Sequence, residues 1–421
     1  MAVADPDELR ARLDSAVARG DLGAGVAHRA VLAARLAQTF QHAGGRENPT
    51  PVSGEVLGQI VGLSRAAVHK HIGCLRSLGF SVRSFPGEGY GLDRPFTDLV
   101  AAEAVLPFLL VRADAPWAAG LPYLYVPRCR STNLILKEAA ESGRVRVTLG
   151  LPGSGGLPAG ALMVTDEQTR GRGRLGRLWS SEPGRDLTFS VLLRPALGPA
   201  QAHLISLTAA LAVAEVLETL PGLGDQVAVK WPNDVLLGEE KVCGILIEGS
   251  IDADSLSWAV AGIGLNVNSA PSAWVGGLTV EEANDWVRRP RPVSLLERLG
   301  RRVPRAPLLA ALLERLTGRL TEVEEGVGGP GGGAGDGASS GLDNLAGAAK
   351  VVAELRRRDA LAGRQVEVLA GPSPGRVVAS GEAMGIGPEG QLLVRGVSGE
   401  IAAVFAGDVT LRTVNQADGD G

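Results

Sequence analysis

The chain has 421 residues, 45% hydrophobic and 21% charged, with 42 basic side chains against 46 acidic ones for a formal net charge of -4. That length requires two or three compact units, the apolar share excludes a disordered chain, and the near-balance of charge excludes a protein that holds nucleic acid by bulk charge alone. Three dispersed cysteines, Cys74, Cys129 and Cys243, include no C-x-x-C pair, so neither a disulfide framework nor a zinc knuckle is expected and a reducing cytoplasm is. The N-terminus carries acids and no apolar leader, and no uncharged apolar run reads as long enough to cross a bilayer. A soluble, cytoplasmic protein away from membranes is expected.

In chain order, residues 1–25 alternate charge with Ala and Leu; they can form a short helix but nothing obliges them to pack. From Ala30 the pattern is helical, and "VSGEVLGQIVGLSRAAVHKHIGCLRSLGF" reads as two helices joined by "GLS", the spacing of a helix-turn-helix. Val68, Ile72 and Leu75 share one face of the second helix, Ser64 sits at its N-cap, and Arg65, His69 and Lys70 fall on the polar side. These four polar residues are the candidate DNA contacts, because "FSVRSFPGEGYGL" follows as a hairpin in the place of a wing. An ordinary helical pair with a solvated face is the plain alternative.

A helix and a Pro-containing connection occupy 97–120, after which the composition turns strand-like. "GALMVTDEQ", "DLTFSVLLRP", "QVAVKWP", "DVLLGEEKVCGILIEGS" and "LSWAVAGIGLNVN" are β-rich, with one long helix, "QAHLISLTAALAVAEVLETL", between the second and third. Strands in hairpins with few crossover helices predict a mixed α+β domain. A helix over 307–325 runs into the Gly-rich insertion 326–341, a helical piece continues to about Asp359, and four or five short strands then predict a small SH3-like β-barrel.

The run "GRGRLGR", 171–177, spells a G-x-G-x-x-G, but a dinucleotide turn must open a helix and "LWSSEPGRDL" cannot do so at once. A disordered Arg/Gly nucleic-acid segment is also a poor fit, since the run is short, unrepeated and set between strands. What remains is a glycine-hinged loop carrying Arg172, Arg174 and Arg177, able to close over an anion such as a nucleotide triphosphate and expected to be mobile without ligand. Standing alone it would be a solvated basic loop. It has company: "KWPNDV" and "KVCGILIE" form an apparent hairpin that gathers Lys230, Asn233, Asp234 and Lys241. Period-2 alternation places Lys241 on one face with Cys243, Ile245 and Ile247, and Gly244, Gly262 and Gly264 are places where backbone can approach a ligand.

Together these motifs resemble one family, the bifunctional biotin protein ligases that are also biotin operon repressors. The resemblance runs from about residue 30 to 412 through "SRAAVHKHI", "PGEGYGL", "STN" at 131–133, "GRGRLGRLW", "KWPND", "KVCGILIE" and "GIGLNVN". It implies an α+β multidomain chain: an N-terminal extension (1–25), a winged helix-turn-helix domain (26–95), a catalytic domain similar to class II aminoacyl-tRNA synthetases with a mixed sheet and helices (96–360), an SH3-like barrel (361–414) and a tail (415–421). It also implies two chemical steps, formation of biotinyl-5'-adenylate from biotin and ATP, then transfer of biotin to a lysine of a biotin carboxyl carrier protein.

Carried over by motif position, the resemblance places Ser131, Thr132, Asn133 and Gln168 at the biotin ring, with Gly171, Arg172, Arg174, Lys241 and Gly244 also contributing to biotin binding. Arg172, Arg174, Arg177, Trp179, Lys230, Asn233 and Asn266 are assigned to the nucleotide, Asn266 facing adenine. Lys241, Arg174, Asp234 and Lys230 are the implied catalytic residues, Lys241 the essential one, and Asp234 helps place Mg2+ or the phosphates. The implied partners are the carrier protein, operator DNA and a second copy in a homodimer; ATP, Mg2+ and biotin are the small molecules, with no tightly bound prosthetic group. Arg130 and Leu134 depart from the family's usual residues around "STN", which affects the mouth of the biotin pocket. Two other readings stay open: a ligand-sensing repressor without turnover, and a lipoate-type ligase.

Overall fold

A computed structural model of the chain describes residues 3–42, 50–109, 121–142, 156–252, 255–271, 290–325, 346–371 and 376–411. The Gly-rich insertion 326–341 and the tail 415–421 lie outside the described residues. Two compact units emerge: Met1–Thr169 with Leu187–Leu193 and Val303–Thr317, and Arg170–Asp186 with Arg194–Arg302 and Gly318–Gly421. Elements are numbered along the chain.

The first unit begins with α1 (Pro6–Ala18), which corrects the expectation that this stretch has no reason to pack. Asp5 caps it by accepting from Asp7 N and Glu8 N, Pro6 starts it, and Leu9, Leu13 and Ala16, spaced as one helical stripe, are buried against α2 (Ala24–His42). The next helix, α3 (Gly54–Val61), ends at Gly62 in the left-handed region (φ 68°), and α4 (Arg65–Ser77) starts from the Ser64 cap. Val68, Ile72 and Leu75 are all fully buried, as their spacing predicts. The wing follows as β1 (Val82–Phe85) paired antiparallel with β2 (Gly89–Leu92).

After the short α5 (Ala102–Val105), β3 (Tyr123–Cys129) runs parallel to β4 (Leu162–Gln168), and β4 pairs antiparallel with β7 (Leu187–Leu193). Parallel neighbours need a crossover. Helix α6 (Thr132–Ser142) lies in that connection, so its N-terminus opens beside the paired ends Cys129 and Gln168. The N-terminal part of α9 (Arg305–Glu325) belongs to the same unit, where buried Arg305 pairs with Asp166 at 2.9 Å and Asp98 at 3.4 Å.

In the second unit a tight ladder of β5 (Gly171–Arg172) and β6 (Leu178–Trp179) precedes α7 (His203–Glu218). An antiparallel meander follows: β8 (Val227–Lys230), β9 (Asp234–Leu237), β10 (Glu240–Asp252) and β11 (Ser255–Leu265), in that spatial order. Then come α8 (Leu295–Leu299), the rest of α9, and α10 (Ala346–Arg356). Helix α7 is apolar all round because the meander and α10 cover it. Its segment Pro199–Glu218 is long and apolar enough to cross a membrane by length and composition alone, but 72% of the 18-residue window concerned is buried inside the protein, as a core helix is. The chain closes in a five-stranded antiparallel sheet, order β15-β14-β13-β12-β16, from β12 (Gln365–Ala370), β13 (Arg376–Ile386), β14 (Leu392–Arg395), β15 (Ile401–Val404) and β16 (Asp408–Leu411).

Candidate functional site

The first unit holds a buried cluster of hydroxyl and amide groups. Ser131, Thr132 and Asn133 are 3%, 2% and 4% exposed at the start of α6, and Ser190 on β7 is completely buried. Thr132 N, one of the helix N–H groups with no partner inside the helix, donates to Gln168 Oε1 at 2.8 Å, and Thr132 Oγ1 lies 3.2 Å from the same oxygen. Ser190 Oγ stands 2.7 Å from Thr132 Oγ1 and donates to Asn133 Oδ1 at 2.6 Å. The backbone N–H therefore decides which end of the Gln168 amide faces the helix, and the NH2 end is left to donate elsewhere. The four predicted residues do come together. Ser190 was missed because a serine inside "LTFSVLLRP" reads as one polar position in a buried strand. Of the two departures, Arg130 is exposed and Leu134 half-buried.

In the second unit the arginine loop is a hairpin tip. Gly173 N donates to Arg177 O at 2.8 Å across a tight turn in which Leu175 holds φ 57°, a left-handed conformation costing roughly 1–2 kcal/mol for a residue with a Cβ. No helix follows, so the G-x-G-x-x-G is not a dinucleotide turn. Trp179 closes the ladder and its indole lies against Gly244 and Gly264, which face each other across β10 and β11. A Cβ on Gly264 would stand 2.3 Å from the indole, and one on Gly244 2.9 Å. Both glycines are thus places of close approach, with the indole as the approaching group.

Lys241 Nζ lies 2.6 Å from Asp234 Oδ1 and 5.9 Å from the centre of the Trp179 ring. The expected alternation fails here. A bulge between Lys241 and Cys243 breaks the β9–β10 register, and the Lys241 side chain passes 3.1 Å from the Cβ position of Gly244, away from buried Cys243. Asn233, assigned to the nucleotide, is engaged at both ends of its amide: its Oδ1 accepts from Arg174 Nη1 at 3.0 Å and its Nδ2 donates to Ile245 O at 2.8 Å, which braces the loop against β10. Arg172 is exposed on β5.

Arg177 pairs with Asp408 of β16 at 2.5 Å, a partner 231 positions away that no local pattern reveals. Burial works to raise the Asp408 carboxyl, but the Arg177 hydrogen bond and the charges of Arg177, Lys230 and Arg174 outweigh it and hold the group below the usual carboxylate range. Burial lowers Arg174 and Lys230, with Asp234 and Asp408 opposing in each case. Four cations thus share two carboxylates in a half-enclosed place, which suits an anion with several charges. As a metal site it is poor in donors: among the described residues no group of three His, Cys, Asp or Glu gathers, and Asp234 is already held by Lys241. Asn266 is 3% exposed, and its Nδ2 donates to Val293 O at 3.1 Å.

The candidate DNA face lies on α4. Ser64, Arg65, His69 and Lys70 are exposed, Ser64 Oγ accepts from Ala67 N at 3.3 Å, and His69 Nδ1 is 3.0 Å from the hydroxyl of Tyr90 on the wing. The recognition helix and wing are therefore joined through a side chain on the polar face.

Residues 144–266 match the model of the biotin/lipoate A/B protein ligase family, and 46–91 match that of a helix-turn-helix domain. The bifunctional ligase/repressor BirA of Bacillus subtilis (strain 168) is 32% identical over 244 residues, 58% of this chain and 67% of that protein. Its counterpart from Escherichia coli (strain K12) is 37% identical over 215 residues, 51% of this chain and 59% of the relative. A solved structure of biotin protein ligase from Aquifex aeolicus in complex with biotin and ATP is 26% identical and overlaps 69% of this chain and 97% of its own, with a TM-score of 0.46. The matched stretches thus span between about three fifths and two thirds of the curated relatives' length. With a helix-turn-helix match preceding a ligase match along one chain, and a bifunctional relative 32% identical that is covered to 67%, the protein belongs to the family of bifunctional biotin protein ligase/repressors.

Proposed function

We propose that the protein is an ATP-dependent biotin protein ligase and a biotin-responsive transcriptional repressor. The observation that carries the enzymatic half is the cation cluster of Lys241, Lys230, Arg174 and Arg177 around Asp234 and Asp408, set beside an indole. In the first step a biotin carboxylate oxygen attacks the α-phosphorus of ATP, the bond to the bridging oxygen breaks, and pyrophosphate leaves. In the second, a carrier lysine amine attacks the acyl carbon of the mixed anhydride, loses a proton and displaces AMP, leaving an amide.

Lys241 contacts the biotin carboxylate and the α-phosphate, and with Lys230, Arg174, Arg177 and Arg172 offsets the charge that grows on phosphate oxygens. Its present partner, Asp234, holds the ammonium in place until an anionic ligand takes over part of that charge. Ser131, Thr132, Asn133 and Gln168 read the uncharged ring, and Gly171 and Gly244 are assigned to the same role. Trp179 and Asn266 take the adenine, and Asn233 braces Arg174. Asp234 is the one residue that would help place Mg2+ or the phosphates, and the ion would add charge neutralisation there.

The C-terminal sheet is SH3-like and the central domain similar to class II synthetases, in a cytoplasmic protein. Ser64, Arg65, His69 and Lys70 contact operator DNA, and a homodimer presents two such helices to a palindrome. The test is incubation with biotin, ATP, Mg2+ and a biotin carrier domain: label transfer that biotin supports and lipoate does not is expected. Binding of biotin without pyrophosphate release would leave the sensor reading, and transfer of lipoate the lipoate-ligase reading. For the repressor half, retardation of a palindromic fragment strengthens with biotin plus ATP and weakens in Arg65→Ala.

A further inference from the structure

One buried carboxylate of the second unit has no part in the chemistry above. Asp186 is 3% exposed, seven residues beyond Trp179 on the same connection. Its Oδ2 accepts from Glu182 N at 3.0 Å, which folds the 182–186 turn, and its Oδ1 accepts from Val267 N at 2.8 Å, the residue directly after Asn266. Asn268 N donates back to Arg185 O at 3.1 Å. The connection that carries Trp179 and the segment that carries Asn266 are thus tied at one carboxylate. Burial pushes that carboxyl above its usual range, against the hydrogen bonds from Ser269, Val267 and Glu182, so an apolar residue would cost less here unless the tie itself matters.

What the tie holds has a definite chemistry. Trp179 Nε1, a donor, and Asn266 Oδ1, an acceptor, are both buried and without a hydrogen-bond partner among the described residues. Val293 O engages the NH2 end of Asn266 and leaves the acceptor end free of that contact. An acceptor left in this state suits the exocyclic amine of a 6-aminopurine. A 6-oxo purine would set oxygen against Asn266 Oδ1 and leave that acceptor without a hydrogen.

We infer that Asp186 is a positioning residue that sets the Asn266 acceptor and through it the preference for a 6-aminopurine nucleotide; this rests on the ligase reading. The experiment measures biotin-dependent pyrophosphate exchange by the full chain with ATP and with inosine triphosphate. For Asp186→Ala, KM for ATP rises about tenfold, KM for biotin stays within about twofold, and the ATP-over-ITP preference in kcat/KM falls about fivefold or more. Asp186→Asn keeps one acceptor for Val267 N and lies between Ala and wild type on the same ratio; it decides the matter if the alanine variant does not fold. A parallel rise in both KM values with the ATP/ITP ratio intact, or no change at all, overturns the proposal. Failure of the wild type to show any biotin-dependent exchange defeats the ligase reading instead.

Discussion

Ser131, Thr132, Asn133 and Ser190 are as buried as the aliphatic side chains around them, and the cluster they form with Gln168 is made of hydroxyls and amides. Lys230, Lys241, Arg174, Arg177, Asp234 and Asp408 in the second unit are full charges, and the shifted groups Lys230, Arg174 and Asp408 all belong to that set. Neutral groups can be withdrawn from water if each finds a partner, so the first cluster has no counter-ion and its order comes from hydrogen-bond direction. Charges withdrawn in excess of their partners remain poised for a ligand that brings the missing sign. The first cluster suits an uncharged shape, the second the charge that would move during the proposed reaction.

That contrast is broken most directly at Lys241. Lys241→Ala is expected to lower biotin-dependent pyrophosphate exchange by about 100-fold or more through kcat, the size of effect seen when a preorganised group facing developing charge is removed; a change confined to KM for biotin would place Lys241 with the neutral cluster. Gly264→Ala comes next. Its methyl would meet the indole at 2.3 Å, so KM for ATP should rise about tenfold, with a change in tryptophan fluorescence, as overpacking costs of about 1–3 kcal/mol imply. Unchanged kinetics would show that the indole does not need its seat on Gly264.

Ser190→Ala sharpens the other side of the comparison. It takes one hydroxyl from between Thr132 and Asn133, so KM for biotin is expected to rise about fivefold while KM for ATP and kcat stay within about twofold, in line with the loss of a net 0.5–1.5 kcal/mol. The smallest effect is that of Asp408→Asn. Releasing Arg177 should increase tryptic cleavage within 172–177 of the unliganded protein by a few fold, and biotin with ATP should restore protection. Because the folded-state carboxyl is held below its usual value, its contribution to stability is present above the unfolded pKa near 4 and is lost as the pH falls through the folded value. Melting temperatures of wild type and the Asn variant should therefore converge on acidification.

Much of this was legible before any coordinates. The α4 stripe of Val68, Ile72 and Leu75, the Ser64 cap, the wing hairpin and the β8–β9–β10 meander follow from spacing, because each depends on neighbours a few residues away. Residues 1–25 misled because helical stripes short enough to look optional are decided by whether a partner exists, and here α2 covers Leu9, Leu13 and Ala16. The Lys241 side chain was assigned to the wrong face because period-2 alternation assumes an unbroken ladder, and a bulge resets the count.

By itself the amino-acid sequence determined which residues are candidates for the site: the arginines of the loop, the lysines of the hairpin, and the small polar run at the start of α6. Only the tertiary structure decided how they are partnered. The reach of Asp408 to Arg177, the use of both ends of Asn233 as a brace, the orientation of Gln168 by Thr132 N and the seating of Trp179 on two facing glycines each join residues from separate elements. Hydrogen bonds and ion pairs act over about 3 Å, whereas sequence patterns register only the few residues on either side, so the partner of a charge becomes known when the chain has folded back on itself.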